Sequence, residues 1–81
     1  MVFFVLNRCG YESFLQLKVR DFPLWTVDGV LSAEELAALR MEGVDVSEFN
    51  YSLELNDAVG IQCAVETIRE HHPKQTVWVS M

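Results

Sequence analysis

Five consecutive apolar residues, Val2 to Leu6, place the strongest constraint on how this chain folds. Successive side chains of a β-strand point to opposite faces of the sheet, so a strand that is apolar throughout is covered on both faces. A run of five residues also fits a buried helical segment. We predict a central strand of a sheet here.

The next segment indicates a β-hairpin. A turn containing Gly10 follows the first strand, and beyond it Leu15, Leu17 and Val19 alternate with polar residues. Alternation with a period of two is typical of a half-buried strand. We therefore expect the two segments to pair as an N-terminal β-hairpin.

A separate strand follows Pro23, which interrupts the apolar pattern. It covers Leu24 to Val27 and stops at Asp28 and Gly29, two residue types that favour turns. Because proline within a sheet is confined to edge strands, strand starts and bulges, we predict that this strand lies at an edge.

The first helix is predicted from its capping residues. Ser32 can accept a hydrogen bond from the amide of Glu35, and Glu35 can reach back to the amide of Ser32, which is a capping box. Gly43 suits the left-handed residue that ends a helix. The helical wheel places an apolar face on Ala33, Leu36, Ala37, Leu39 and Met41, with an acidic outer face.

The segment after Gly43 is predicted to be a strand. Val44 and Val46 alternate with Asp45, and a second alternation with shifted phase runs from Phe49 to Leu55. A bulge or turn near Ser47 would join the two parts.

A second amphipathic helix is predicted to begin near Asn56 or Asp57 and to end before Pro73. Its apolar face comprises Ile61, Ala64, Val65, Ile68 and His72. Residues 76–80 are predicted to form the final strand.

These elements predict one α+β domain over residues 1–81, built as a two-layer sandwich. Its mixed sheet has four to five strands, with the N-terminal hairpin followed by β-α-β-α-β, and carries two amphipathic helices. A ferredoxin-like split arrangement is the alternative. Strands linked by helices are expected to be parallel neighbours.

The net charge of −6 constrains the partners of the protein. An acidic chain repels phosphate backbones, so direct nucleic-acid binding is not expected. No apolar run approaches the length of a membrane span, and Val2 to Leu6 is too short for the core of a signal peptide. Cys9 and Cys63 lack metal-site or disulfide-scaffold spacing, which predicts free thiols in the cytoplasm.

No spacing of residues specifies a reaction. His71 and His72 are adjacent, so they point about 100° apart on a helix and are not expected to share a metal. Asp28 follows a predicted strand, where open α/β sheets bind ligands, and Asp45 or Ser47 could join it, but no glycine-rich phosphate loop accompanies it. We therefore predict no catalytic residue, cofactor or metal ligand.

The best candidates for a binding surface are two tryptophans and two helical residues. Trp25 and Trp78 lie on predicted strands, and aromatic residues dominate binding interfaces. Val59 and Cys63 form an apolar stripe on an otherwise polar helix side. The sequence favours a non-catalytic protein–protein interaction module, an adaptor, regulator or inhibitor. The alternatives are a homo-oligomeric structural protein and a small enzyme or ligand-binding domain around Asp28.

Overall fold

Four strands and three helices make up the part of the chain that the structure, a computed structural model, describes: residues 1–17 and 21–80. The strands are β1 (Val2–Val5), β2 (Leu24–Thr26), β3 (Val46–Glu48) and β4 (Val77–Ser80). The helices are α1 (Arg8–Gln16), α2 (Ala33–Met41) and α3 (Ala58–His71).

The four strands form one parallel sheet in the order β3-β2-β1-β4. All four residues of β1 are buried, which confirms the central strand predicted from the apolar run. The predicted mixed sheet is wrong, because every pair of neighbours is parallel. The predicted edge position of β2 is also wrong, since β2 lies between β1 and β3 and Pro23 precedes it. Pro23 contributes its carbonyl oxygen, which accepts from Phe3 N–H at 2.9 Å.

The predicted N-terminal hairpin is replaced by helix α1. The side chain of Asn7 accepts from the amide of Gly10 at 2.7 Å and caps a helix at the place where a reverse turn was expected. Tyr11 and Phe14, three residues apart, are both buried on the face of α1 that meets the sheet. The alternation of Leu15 and Leu17 falls in and just after this helix, and Val19 lies outside the described residues.

Strand β3 is shorter than predicted, and residues 49–55 form no strand. The amide of Phe49 donates to Thr26 O and that of Asp28 donates to Tyr51 O, so the chain stays beside β2 only to residue 51. Beyond that point β2 has turned away at Gly29, whose φ of +89° glycine adopts readily. Residues 52–55 therefore have no neighbouring strand to pair with.

Helices cover both faces of the sheet. Phe3 packs edge-on against Phe14 of α1, with ring centroids 5.3 Å apart. The adjacent residue Phe4 points to the other face, which it shares with Trp25, its partner in register. Trp25 contacts His71 at the end of α3. The predicted sandwich thus has three layers at its centre instead of two, because the connections before and after β3 run in opposite directions along the sheet.

The two predicted helices are confirmed as α2 and α3. Both bonds of the capping box between Ser32 and Glu35 are present, and α3 starts after its N-cap Asp57. The predicted apolar face of α2 is wrong in part, since Leu36 and Leu39 are buried whereas Met41 is 89% exposed. This short helix packs against the edge strand β3, which is too narrow to cover a broad face.

Candidate functional site

A ligand-binding site is expected at the carboxyl ends of β1 and β4. In open parallel sheets with the strand order 3-2-1-4, ligands bind where the order reverses, which here is between these two strands. Gly10 of α1 lies directly against the end of β4: a Cβ at this position would be 2.6 Å from Ser80 O. The first turn of α1 and the end of β4 are therefore in direct contact at this point.

An ion pair joins the starts of α1 and α2 at the same end of the sheet. Arg8 Nη1 donates to both carboxylate oxygens of Glu35, at 2.7 and 2.9 Å, and to Val30 O at 3.2 Å. The hydrogen bond from the backbone of Ser32, followed by the bond from Arg8, lowers the pKa of Glu35. The hydrogen bond with Glu35 raises the pKa of Arg8. The Arg8 side chain is 53% exposed and the Glu35 side chain 33% exposed, so solvent screens the pair, which orients two helices and adds little stability.

The structure does not bring Asp28, Asp45 and Ser47 together. Asp28 is exposed after the carboxyl end of β2. Asp45 precedes β3, and because the sheet is parallel this places it at the opposite, amino edge, where its carbonyl accepts from Leu24 N–H. Ser47 lies in the middle of β3. Asp28 thus stands apart from the two residues predicted to join it.

The two histidines lie beside Trp25. The indole Nε1–H of Trp25 donates to His72 Nε2 at 3.4 Å, and the ring of His71 is 5.3 Å from that of Trp25. Trp25 is only 9% exposed and also contacts Phe49, so this predicted interface residue is part of the core. Within residues 1–17 and 21–80, no three His, Cys, Asp or Glu side chains cluster so as to hold a metal ion.

Val59 and Cys63 are both exposed on α3, with 75% of Val59 accessible. Cys9 is also an exposed free thiol. Among the described residues, no helix combines the length and the apolar character that crossing a membrane requires.

Trp78 is the fourth predicted interface residue, and it borders an apolar groove. The indole is 56% exposed on the face of the sheet that carries α1, since Trp78 and Phe3 are partners in register. Two adjoining cavities of about 230 and 280 Å³ share Phe3, Leu17 and Trp78 as lining residues. We call the combined feature the apolar groove; its remaining lining residues are Met1, Ser13, Phe14 and Ser80. Among the described residues, no charged side chain lines it.

The sequence did not indicate Leu17 and Met1 as surface residues. Leu17 is 54% exposed and Met1 42% exposed, and both extend the apolar surface around Trp78. The sequence predicts a hairpin strand at Leu17, and its alternation with polar neighbours carries no signal that it ends a helix beside β4.

The outer edge of β4 lies next to the apolar groove. β4 is the last strand of the sheet, and no strand of the described chain pairs with its outer side. Its residues, Val77–Ser80, include no charge and no proline. Proteins commonly protect exposed strand edges with charged residues and proline. Because β4 has neither, its outer edge is open to pairing with another strand.

Comparisons with protein families, with curated proteins and with solved structures find no match to this chain.

Proposed function

We propose that this protein is a non-catalytic protein–protein interaction module, acting as an adaptor, regulator or inhibitor. Its docking surface is the outer edge of β4 together with the apolar groove. A net charge of −6 disfavours nucleic acid as the partner, and the exposed free thiols Cys9 and Cys63 suit the reducing cytoplasm.

One observation carries this proposal: a tryptophan is half exposed on the edge strand β4, whose outer side pairs with no strand of the described chain. Trp78 is 56% exposed, whereas Trp25 is 9% exposed. A half-exposed indole leaves a large apolar surface in water, and a binding partner would cover it. Tryptophan is also enriched among the residues that dominate binding interfaces.

The surface fits an extended segment of a partner protein. Such a segment can pair its backbone with the edge of β4 and place an apolar side chain in the groove between Trp78 and Leu17. Backbone bonds then supply affinity, and the shape of the groove selects the side chain. The apolar side chains of Phe3, Leu17 and Trp78 in the lining favour an apolar or aromatic anchor.

The polar groups at the carboxyl end of the sheet support a non-catalytic function, because they bind one another and the helix ends. Asn7 caps α1, Ser32 and Glu35 form the capping box of α2, and Arg8 binds Glu35. A small enzyme centred on Asp28 remains the alternative, and would need a concave pocket there. The two cavities of the apolar groove do not include Asp28.

The test compares three immobilised baits in lysate of the native host at moderate salt: the wild-type chain, Val79→Pro and Val59→Ser. Val79→Pro removes a backbone donor from the outer edge of β4, and Val59→Ser alters an exposed residue on α3. Circular dichroism first establishes that all three baits are folded. A protein held by wild type and Val59→Ser but lost from Val79→Pro supports the proposal. Proteins lost only from Val59→Ser would instead place the interface on α3, and equal capture by all three would contradict both surfaces.

A further inference from the structure

We infer that the partner strand at the outer edge of β4 is β4 of a second copy of this chain. The two strands run antiparallel about a two-fold axis that passes between the two copies of Trp78. The two sheets then join into one of eight strands. This inference rests on the proposed function and names the partner of its docking surface.

The hydrogen bonds of β4 to β1 define which backbone groups face outward. Val2 N–H donates to Thr76 O at 2.8 Å, and Leu6 N–H donates to Ser80 O at 3.1 Å. Even-numbered residues of β4 therefore direct their backbone groups to β1. Because successive residues of a strand alternate, Val77 and Val79 direct their N–H and C=O groups away from the sheet.

Two-fold symmetry restricts how two such edges can pair. An axis perpendicular to the sheet keeps α1 on the same side in both copies, so directly opposed residues share a face. Placing Trp78 opposite Trp78 of the second copy sets Val77 opposite Val79 and Val79 opposite Val77. Each Val77–Val79 pair exchanges two hydrogen bonds in an antiparallel ladder. All outward groups of both valines are satisfied within the described strand.

The side chains favour the same register. The two Trp78 residues form a pair without backbone hydrogen bonds between them, the position at which opposed side chains come closest, with Cα atoms about 4.5 Å apart. Aromatic pairs at such positions stabilise sheets. Leu17 and Met1 extend the apolar surface on each copy. Among the described residues, no charged side chain lines the groove, so the side chains that meet there add nothing to the repulsion between two chains of net charge −6.

The first experiment measures the mass of the purified chain by sedimentation velocity over about 1 μM to 1 mM, a range suited to a small interface. We expect the mass to rise from 9.3 kDa toward twice that value. Added salt should strengthen association by screening the like charges of the two copies. Val79→Pro and Trp78→Lys should each weaken dimerisation about tenfold or more. The matched surface control Val59→Ser should dimerise as wild type does.

The second experiment tests the register with disulfides in a background of Cys9→Ser and Cys63→Ser. Two Trp78→Cys residues would face each other at a Cα separation that a disulfide accepts. Dissolved oxygen should therefore oxidise the two thiols, taking up the two electrons and two protons that they release. The resulting disulfide bond links the two chains. Val77→Cys faces Val79 of the second copy and should cross-link poorly.

A dimer that Trp78→Cys links faster than Val77→Cys supports the inference. A monomer at 1 mM, a mass unaffected by Val79→Pro, or faster linking through Val77→Cys overturns it. If the chain stays monomeric while capture of another protein depends on Val79, the proposed function stands and this inference fails. If the chain stays monomeric and capture does not depend on Val79, both fail.

Discussion

Replacing Gly10 by alanine tests the contact between α1 and β4. A Cβ at Gly10 would lie 2.6 Å from Ser80 O and 3.1 Å from Ser80 C, whereas an ordinary contact begins at about 3.4 Å. The obstructing oxygen belongs to the backbone and accepts from Leu6 N–H at 3.1 Å, so it cannot rotate away. Helix α1 must instead move outward by several tenths of an ångström, which loosens the packing of Phe14 on Phe3.

The expected effect is the difference of two opposing contributions. Alanine in a helix is more favourable than glycine by up to about 1 kcal/mol. Overpacking a tight contact costs about 1–3 kcal/mol. The rigidity of Ser80 O places the cost above the gain, so we expect Gly10→Ala to lose about 1 kcal/mol. A loss of this size lowers Tm by about 4–8 °C for a domain of this length.

Urea unfolding followed by circular dichroism measures this loss, with Cys9→Ala as the control. Cys9 is exposed in the same turn of α1, so its replacement reports helix propensity without the clash and should leave stability unchanged or slightly higher. Gly10→Ala as stable as the wild type would refute the close approach of α1 to β4.

Three further predictions concern the core, the helix cap and pH. Phe14→Ala should cost about 3–5 kcal/mol, because the ring is 1% exposed and packs on Phe3; a loss below 1 kcal/mol in urea unfolding would contradict this packing. Ser32→Ala should cost about 1 kcal/mol and Ser32→Asp much less, since aspartate also caps a helix; equal stability of all three chains would argue against the capping box. Glu35 has a lowered pKa in the folded state, so its contribution to stability is present above the usual glutamate pKa of about 4.3 and is lost as pH falls through the lower folded value. Glu35→Gln should therefore reduce the loss of unfolding free energy as the pH falls below about 4.3. An unchanged pH dependence of that free energy would refute the lowered pKa of Glu35.

Local signals were enough to predict α2, α3 and β4. The cap at Ser32, the cap at Asp57 and the break at Pro73 act within a few residues of the helix ends that they define. The same kind of signal existed for α1, where Asn7 precedes buried Tyr11, but the competing alternation through Leu17 favoured a strand. Short segments carry both patterns, and contact with the sheet decides between them.

The candidate site depended more on tertiary structure than the fold elements did. Trp25 and Trp78 have similar sequence surroundings, each next to a valine or threonine on a short strand. Their difference in exposure arises because β2 is inside the sheet and β4 is at its edge. Strand order depends on contacts between distant segments, so a local pattern could not separate the buried tryptophan from the exposed one.

The sequence by itself determined where the chain is apolar enough to be buried, as in Val2–Val5, and where two helices begin. Propensity, capping and hydrophobic period are properties of neighbouring residues, and they act before any long-range contact forms. Only the tertiary structure decided that all strands are parallel, that helices cover both faces, and that Trp78 lies beside Leu17 on an open edge. Those features depend on which distant segments pack together, and that choice minimises the free energy of the whole chain rather than of any one segment.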